Sequence, residues 1–320
     1  MAVQFGVLGA VEAQAGGRPV PLGHARQQCV LVALLVDANT PVPAGRLADR
    51  VWGDDLPQRA QGTLHSYISR LRQILADSGG VGIARQCGGY VLTVDPLAID
   101  LQHFAQLLAQ ARASRDDEQA QILFDRALGL WRGDAFAGLD TAWLNSVRYT
   151  LHQQRFAAEL DHADVRLRRG QHAALLAELS GRASTYPLDE RVSGQLMLAL
   201  HRSGRTGDAL AQYQVSRRQL AEDLGIDPGP ELQRLHREIL AGDAPAGSRQ
   251  SRTRSARSSP GAPGCRSPWP SPPRAARPAP VSRSPGWPGS CATPRAGWMH
   301  SMPVTRPPTC GPCSPGPTAP

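Results

Sequence analysis

Between Gln58 and Asp77 (QRAQGTLHSYISRLRQILAD) the apolar positions recur at helical spacing. Leu64, Ile68, Leu71 and Leu75 fall at i, i+4, i+7 and i+11, one stripe of an α-helix. At about 100° per residue the opposite side carries Arg59, Gly62, Ser66, Ser69, Arg70 and Gln73. Thr63 and Arg72 fall on the flanks, and Tyr67 beside the core stripe. No acid interrupts the polar side before Asp77. The pattern predicts a helix that packs along one face and offers arginines among small polar residues on the other. That second face suits a polyanion, and it also suits an ordinary solvated surface.

The flanking pattern favours the first reading. Met1 to Leu22 contains loosely alternating runs (VQFGVLG, AVEAQA) and a Gly16-Gly17 turn signal, which predict a small antiparallel sheet. His24 to Asp37 predicts a helix with Val30, Leu31, Leu34 and Leu35 inward and Cys29 as a small buried residue; Asn39 and Pro41 end it. Pro43 to Trp52 predicts a second, short helix with Leu47, Val51 and Trp52 on its core side, and Gly53 to Pro57 a loop. The helix from Gln58 follows and stops at Gly79-Gly80. VGIARQCGGYVLTV then predicts a hairpin about a tight Gly88-Gly89 turn, with Cys87 a small turn residue or an exposed thiol. Short helix, loop, longer helix with a polar outer face and hairpin together spell a winged helix-turn-helix.

Pro96 to Asp100 reads as a hinge, after which the pattern is helical to about Leu240. Helices are expected near Leu101–Arg112, Glu118–Trp131, Ala142–Arg169, His172–Tyr186, Leu188–Ser203, Thr206–Leu224 and Pro230–Leu240. Gly170 and Gly204 are 34 residues apart, each ahead of a helix (GQHAALLAEL, GRTGDALAQY). Leu176 then aligns with Leu210, and Leu179 with Tyr213. Thirty-four is the tetratricopeptide period, and such helix pairs stack into a curved bundle with a groove. The fold class expected is therefore mainly α with a small β component: residues 1–96 a winged helix, 97–242 an all-α tetratricopeptide-like bundle, 243–320 a tail.

Composition changes this picture at the tail. The 320 residues carry a formal net charge of +8, which for a whole chain points to nucleic acid. The charge is uneven, however: residues 1–96 hold 8 Arg and 7 acids, 97–243 hold 17 Arg and 20 acids, and 244–320 hold 10 Arg and no acid. A case for DNA binding therefore rests on where a few arginines sit. The tail also holds 19 of the 28 prolines and no Leu, Ile, Phe, Tyr, Asn, Asp, Glu or Lys, so it is expected to be disordered. It reads as out-of-frame translation of GC-rich DNA; Arg-rich disorder would otherwise add nonspecific affinity for DNA. The absence of Lys excludes a Walker A loop, a pyridoxal Schiff base and a lysine nucleophile. Neither a signal peptide nor an apolar run near the ~18 residues of a membrane span is seen. Only Cys29 and Cys87 lie outside the tail, usage that fits a reducing cytoplasm. No metal or cofactor site is expected. His152, His162 and Asp161 read as surface residues, Trp131 and Tyr186-Pro187 as packing residues, and Cys310/Cys313 as a lone CxxC without a second paired element.

Longer strings then carry a resemblance. GHARQQCVLVALLV, RLADRVWGDDLP, TLHSYISRLRQIL and GGYVL resemble the OmpR-type winged-helix domain of the Streptomyces antibiotic regulatory proteins. ALGLWRGDAFAGL, ELDHADVRLRRGQHAALLAEL, YPLDERVSGQLMLALHRSGRTGDALAQY and LAEDLGIDPGPELQRLHREIL resemble that family's bacterial transcriptional activation domain. The likeness runs from about Val3 to Leu240 and leaves the tail without a counterpart. It implies that Gln58–Leu75 is a recognition helix in a major groove of double-stranded DNA. Arg70 and Arg72 would then contact phosphates, with Arg59, Thr63, Ser66, Tyr67, Ser69 and Gln73 on or near the DNA. His65, Ser66 and Gln73 are the candidates for base edges. Surface ion pairs, with Asp77 or a neighbour, are the alternative for Arg70 and Arg72, and a plain surface histidine the alternative for His65. Arg85 would reach the minor groove from the wing, although Val91 stands where family wings commonly carry a second arginine. The Gly53, Asp54 and Asp55 loop would touch RNA polymerase. The function implied is activation of antibiotic biosynthesis genes from promoter direct repeats by tandem protomers. The alternative is a helical-repeat interaction protein whose winged helix no longer binds DNA, or a remnant of a larger ATPase-containing regulator.

Overall fold

The structure, a computed structural model, describes residues 3–76 and 80–242. The expected tail, Asp77 and Gly79 lie outside them. Three strands open the chain, β1 (Val3–Gly6), β2 (Glu12–Ala15) and β3 (Arg18–Pro19), followed by α1 (Ala25–Val36), β4 (Val42–Pro43), α2 (Ala44–Trp52) and α3 (Ala60–Leu75). The hairpin is β5 (Gly82–Gln86) and β6 (Gly89–Thr93). Seven helices complete the described chain: α4 (Asp100–Ala113), α5 (Asp117–Leu128), α6 (Ala142–Arg168), α7 (His172–Thr185), α8 (Glu190–Arg202), α9 (Thr206–Leu224) and α10 (Pro230–Ala241). The architecture is mainly α with small antiparallel sheets, a winged helix followed by a helical bundle.

The first sheet runs β1-β2-β3, all antiparallel, and buries Val3, Phe5 and Ala13 on one face. Alternation along strands this short is enough to give them one wet and one dry side. α1 is the central helix of the winged helix. Every residue from Cys29 to Val36 is buried, so it is covered on nearly all sides and not only along the expected stripe. Burial raises the Cys29 thiol pKa.

The second sheet departs from expectation in two ways. The hairpin turns at Cys87-Gly88, one residue earlier than expected, because Gln86 pairs with Gly89. Both turn residues have positive φ, 50° and 73°, the geometry of a two-residue turn that matches strand twist. The sheet also has a third strand, β4, in the order β4-β6-β5; Val42 lies opposite Tyr90 and Pro43 opposite Gly89. Asn39, at φ 63° just past α1, accepts from Val94 N and donates to Val94 O at 3.1 and 2.9 Å. The end of α1 is thereby tied to the end of β6.

Pro96–Asp100, expected as a hinge, is a packed corner instead. Pro96–Ala98 forms one turn of 3-10 helix, and Ile99 is buried and bridges to Phe5. The Asp100 carboxylate accepts from Val7 N at 2.8 Å, Leu8 N at 3.0 Å and Arg132 Nη2 at 3.0 Å. Loss of hydration there raises its pKa, against the pull of the backbone N–H groups. The α5–α6 connection returns to the same edge, where Arg132 N, Phe136 N and Ala137 N donate to Leu8 O, Val7 O and Gly9 O. One apolar core therefore runs from the N-terminal sheet through α1–α3 and the wing into α4, α5 and much of α6. A second core gathers the end of α6 with α7–α10.

The repeat is reproduced in the backbone. Gly170 and Gly204 both adopt φ 79°, the left-handed conformation that ends one helix and turns into the next at no Cβ cost. Leu179 and Tyr213 are buried in the second core, and Leu176 and Leu210 pack against it. Among the described residues, three α-helix starts carry their own caps: Asp116 Oδ1 accepts from Glu118 N, Thr141 Oγ1 from Leu144 N and Asp189 Oδ1 from Val192 N.

Two residues read from sequence as surface are not. Asp161 is mostly covered by Arg112 and Arg191, at 2.8 and 2.7 Å. His162 is 9% exposed and packs on Phe124. Its Nε2 lies 3.1 Å from Asp125 Oδ1 without the alignment of a hydrogen bond. α6 is long and covered from both sides at this point, so a polar side chain on it has no open face left. Burial lowers the His162 pKa below its ordinary 6.5; Asp125 and Glu178 oppose that shift, while Arg166 and Arg182 add to it. A depressed folded-state pKa gives stability that is present above the unfolded value and lost as pH falls through the folded one. Urea midpoints should therefore be level above pH 6.5 and fall below it. The His162→Gln variant should show a shallower fall, and an identical fall in both proteins would disprove the assignment.

Candidate nucleic-acid interface

α3 is placed by the stripe that predicted it. Leu64, Ile68, Leu71 and Leu75 are all buried, and burying each such side chain is worth about 1.5–3 kcal/mol. With that face fixed, Arg59, Ser66, Arg70 and Gln73 are exposed, as are Gln61, Gly62 and His65. Thr63 and Ser69 are half-buried at the edges. Ser66 Oγ donates back to Gly62 O at 3.1 Å. Arg59 is the residue before the first helical turn; that turn has no acid and no side-chain cap, so its amide dipoles meet solvent.

The remaining site candidates divide. Arg72 is half-buried, and its Nε donates to Ile83 O at 2.8 Å, which locks α3 to β5 and leaves the other guanidinium nitrogens beside the wing. Tyr67 is half-buried away from the open face, edge-on to His24 at 5.0 Å and stacked on Trp52 at 6.2 Å. This is where the helical wheel puts it. Arg85 is exposed on β5 next to the Cys87-Gly88 turn. Arg59, Arg70 and Arg85 have no ion-pair partner among the described residues, whereas most arginines of the helical bundle are paired, as in Arg168 with Asp117 or Arg191 with Asp164.

The loop between α2 and α3 leaves Asp54 and Asp55 exposed after Gly53, which turns the chain at φ 59°. It is held from behind. Arg26 Nη1 donates to Val51 O at 2.5 Å, and Arg50 reaches Ala33 O and Asp37, at 3.1 and 2.6 Å, while its guanidinium sits 4.4 Å over the Trp143 ring. That stacking ties α2 to α6. Sequence reasoning missed the supports: β4, the Asn39 clamp, and Arg50 on Trp143. Only Asn39 left a signal, as the residue type that tolerates the left-handed conformation just past a helix.

A buried-stripe helix with an open arginine face, a flanking loop and a wing define the winged-helix class of transcriptional regulators. Residues 17–92 match the family described as transcriptional regulatory protein, C terminal, and residues 99–240 match the bacterial transcriptional activator domain. The regulatory protein DnrI of Streptomyces peucetius is 34% identical over 261 residues, which cover 75% of this chain and 93% of DnrI. The regulatory protein AfsR of Streptomyces griseus is 39% identical over 245 residues, 76% of this chain and 25% of AfsR. The chain thus spans about a quarter of AfsR and nearly the whole of DnrI. The solved structure of Mycobacterium tuberculosis EmbR in complex with a low affinity phosphopeptide superposes with a TM-score of 0.70 at 32% identity, over 75% of this chain and 65% of that one. The chain belongs to the Streptomyces antibiotic regulatory protein family of transcriptional regulators. Among the described residues, no helix is long and apolar enough to cross a membrane.

Proposed function

We propose that this chain is a sequence-specific transcriptional activator that binds double-stranded promoter DNA through α3 and the wing. The observation that carries this is the exposed set Arg59, Arg70 and Arg85, without an ion-pair partner among the described residues, around a recognition helix whose first turn is uncapped. Arg59, Arg70, Arg72 and Arg85 meet phosphates, with Thr63 and Ser69 at the groove edge; His65, Ser66 and Gln73 face base edges. Tyr67 acts from behind by holding Trp52 and the loop. Gly53, Asp54 and Asp55 present an acidic, solvated surface to RNA polymerase. Tandem protomers on direct repeats, in the cytoplasm at the nucleoid, would place two such loops on one face of a promoter of antibiotic biosynthesis genes. Residues 1–96, 97–242 and 243–320 serve as DNA-binding, activation and tail segments in this reading.

Fluorescence anisotropy of the full chain on its own upstream DNA, against scrambled DNA over a salt series, tests it. Arg70→Ala should weaken binding several-fold on every sequence and reduce the salt slope by about 1. Gln73→Ala should instead relax sequence preference. Equal affinity for both DNAs, unchanged by either substitution, would support the reading as a helical-repeat interaction protein.

A further inference from the structure

The face of the N-terminal sheet that turns away from the core is not bare. β1 and β2 put Gln4 opposite Gln14 and Gly6 opposite Glu12 on it. Across from them stand Leu97, His103 and Leu130, and between the two sides lies a cavity of about 350 Å³. Its floor is shaped by Gly6, where a Cβ would meet Arg132 Nη2 at 2.2 Å. The Arg132 guanidinium therefore lies flat on the strand, donating to Glu12 on one side and to Asp100 on the other.

We propose that this cavity binds a short aliphatic amine or guanidine. The volume is within the ~300–1,000 Å³ range of small-ligand sites. Two carboxylates against one guanidinium give the site a negative balance, which favours a cation and disfavours an anion. Arg132 engages Glu12 through Nη1, and the Glu12 side chain is still 48% exposed, so carboxylate lone pairs remain for a ligand. The carboxamides of Gln4 and Gln14 and the His103 imidazole make no hydrogen bond to any described residue. They add acceptors that converge on the same space. Leu97, 50% exposed, and half-buried Leu130 supply an apolar wall for methylene groups. The polar side comes from the sheet of the winged helix and the apolar wall from the helical side of the chain. An occupant would therefore bridge the two and stabilise their junction by mass action.

Calorimetric titration and thermal melting of the full chain with agmatine and putrescine test this, with succinate as the anionic comparison. At least one amine is expected to bind saturably with Kd below ~1 mM and to raise Tm, while succinate does neither. Glu12→Gln should weaken the amine ~10-fold or more by removing a charge-assisted hydrogen bond. Gln14→Ala, which touches no contact of Arg132, should weaken it by ~3-fold through loss of one acceptor, and this variant decides the matter if Glu12→Gln does not fold. The proposal is overturned if neither amine gives saturable heat, if succinate binds equally well, or if the folded variants bind like the parent. DNA binding is measured separately, so failure here leaves the promoter-binding reading intact.

Discussion

Asp100→Ala is expected to destabilise the protein by about 3 kcal/mol, because two backbone donors lose their acceptor together. The carboxylate is 12% exposed and takes Val7 N, Leu8 N and Arg132 in one grip. Arg132 can turn toward water, since its side chain is 37% exposed; the two N–H groups of the sheet edge cannot. Asp100→Asn should recover part of the loss, because its carbonyl oxygen can take the Oδ2 position that accepts all three, while its amide end meets only Val7 N. For a chain of this size each kcal/mol moves Tm by roughly 2–4 °C, so a fall of roughly 10 °C is expected. Arg132→Ala should cost less than Asp100→Ala. Differential scanning calorimetry orders the three variants, and a parental Tm for Asp100→Ala would refute the account. The loss should be global, because Phe5, Ile99, Phe104 and Phe136 share the core that Asp100 closes. Fluorescence of Trp52 in the winged helix and of Trp131 and Trp143 beyond it should report one transition.

The same corner shows where sequence reasoning reached its limit. Helices α4–α10 were legible to within a few residues because each is long enough to display a 3.6-residue period. The polar face of α3 was legible for the same reason: one helix fixes the directions of all its side chains once Leu64, Ile68, Leu71 and Leu75 choose the core. Contacts set by distant chain were not legible. Asp100 looks like any hinge residue until Val7 and Leu8, more than 90 positions earlier, come to it. His162 looks like surface until α6 is covered on both sides. Arg72 looks like a plain phosphate contact until Ile83 O takes its Nε. Local period determines which face of an element is dry; only the assembled fold determines what that face meets.

Gly89→Ala is expected to be the more damaging of two neighbouring glycine substitutions in the wing, against what a turn at Gly88-Gly89 would predict. Gly88 is a turn glycine with φ 73° and open space where a Cβ would stand, so alanine there costs only the left-handed strain of about 1–2 kcal/mol. Gly89 is buried with an extended backbone, and its Cβ would lie 2.1 Å from Val42 O and 2.8 Å from Pro43 Cα. Both are backbone atoms, with no flexible side chain to give way. The β4 strand must then leave β6, losing the Val42–Tyr90 and Pro43–Gly89 pairing and the Ala44 N to Gly88 O hydrogen bond. Overpacking of this kind typically costs about 1–3 kcal/mol or more. The consequence extends past stability, because β4 runs directly into α2, which packs on α3. A displaced β4 moves the wing relative to α3, and a protein that touched DNA at both would then give up one contact. In the DNA-binding reading, Gly89→Ala should lose affinity at temperatures where circular dichroism shows it still folded, while Gly88→Ala keeps most of its affinity. Equal affinities for the two folded variants would mean that the wing and α3 engage DNA independently.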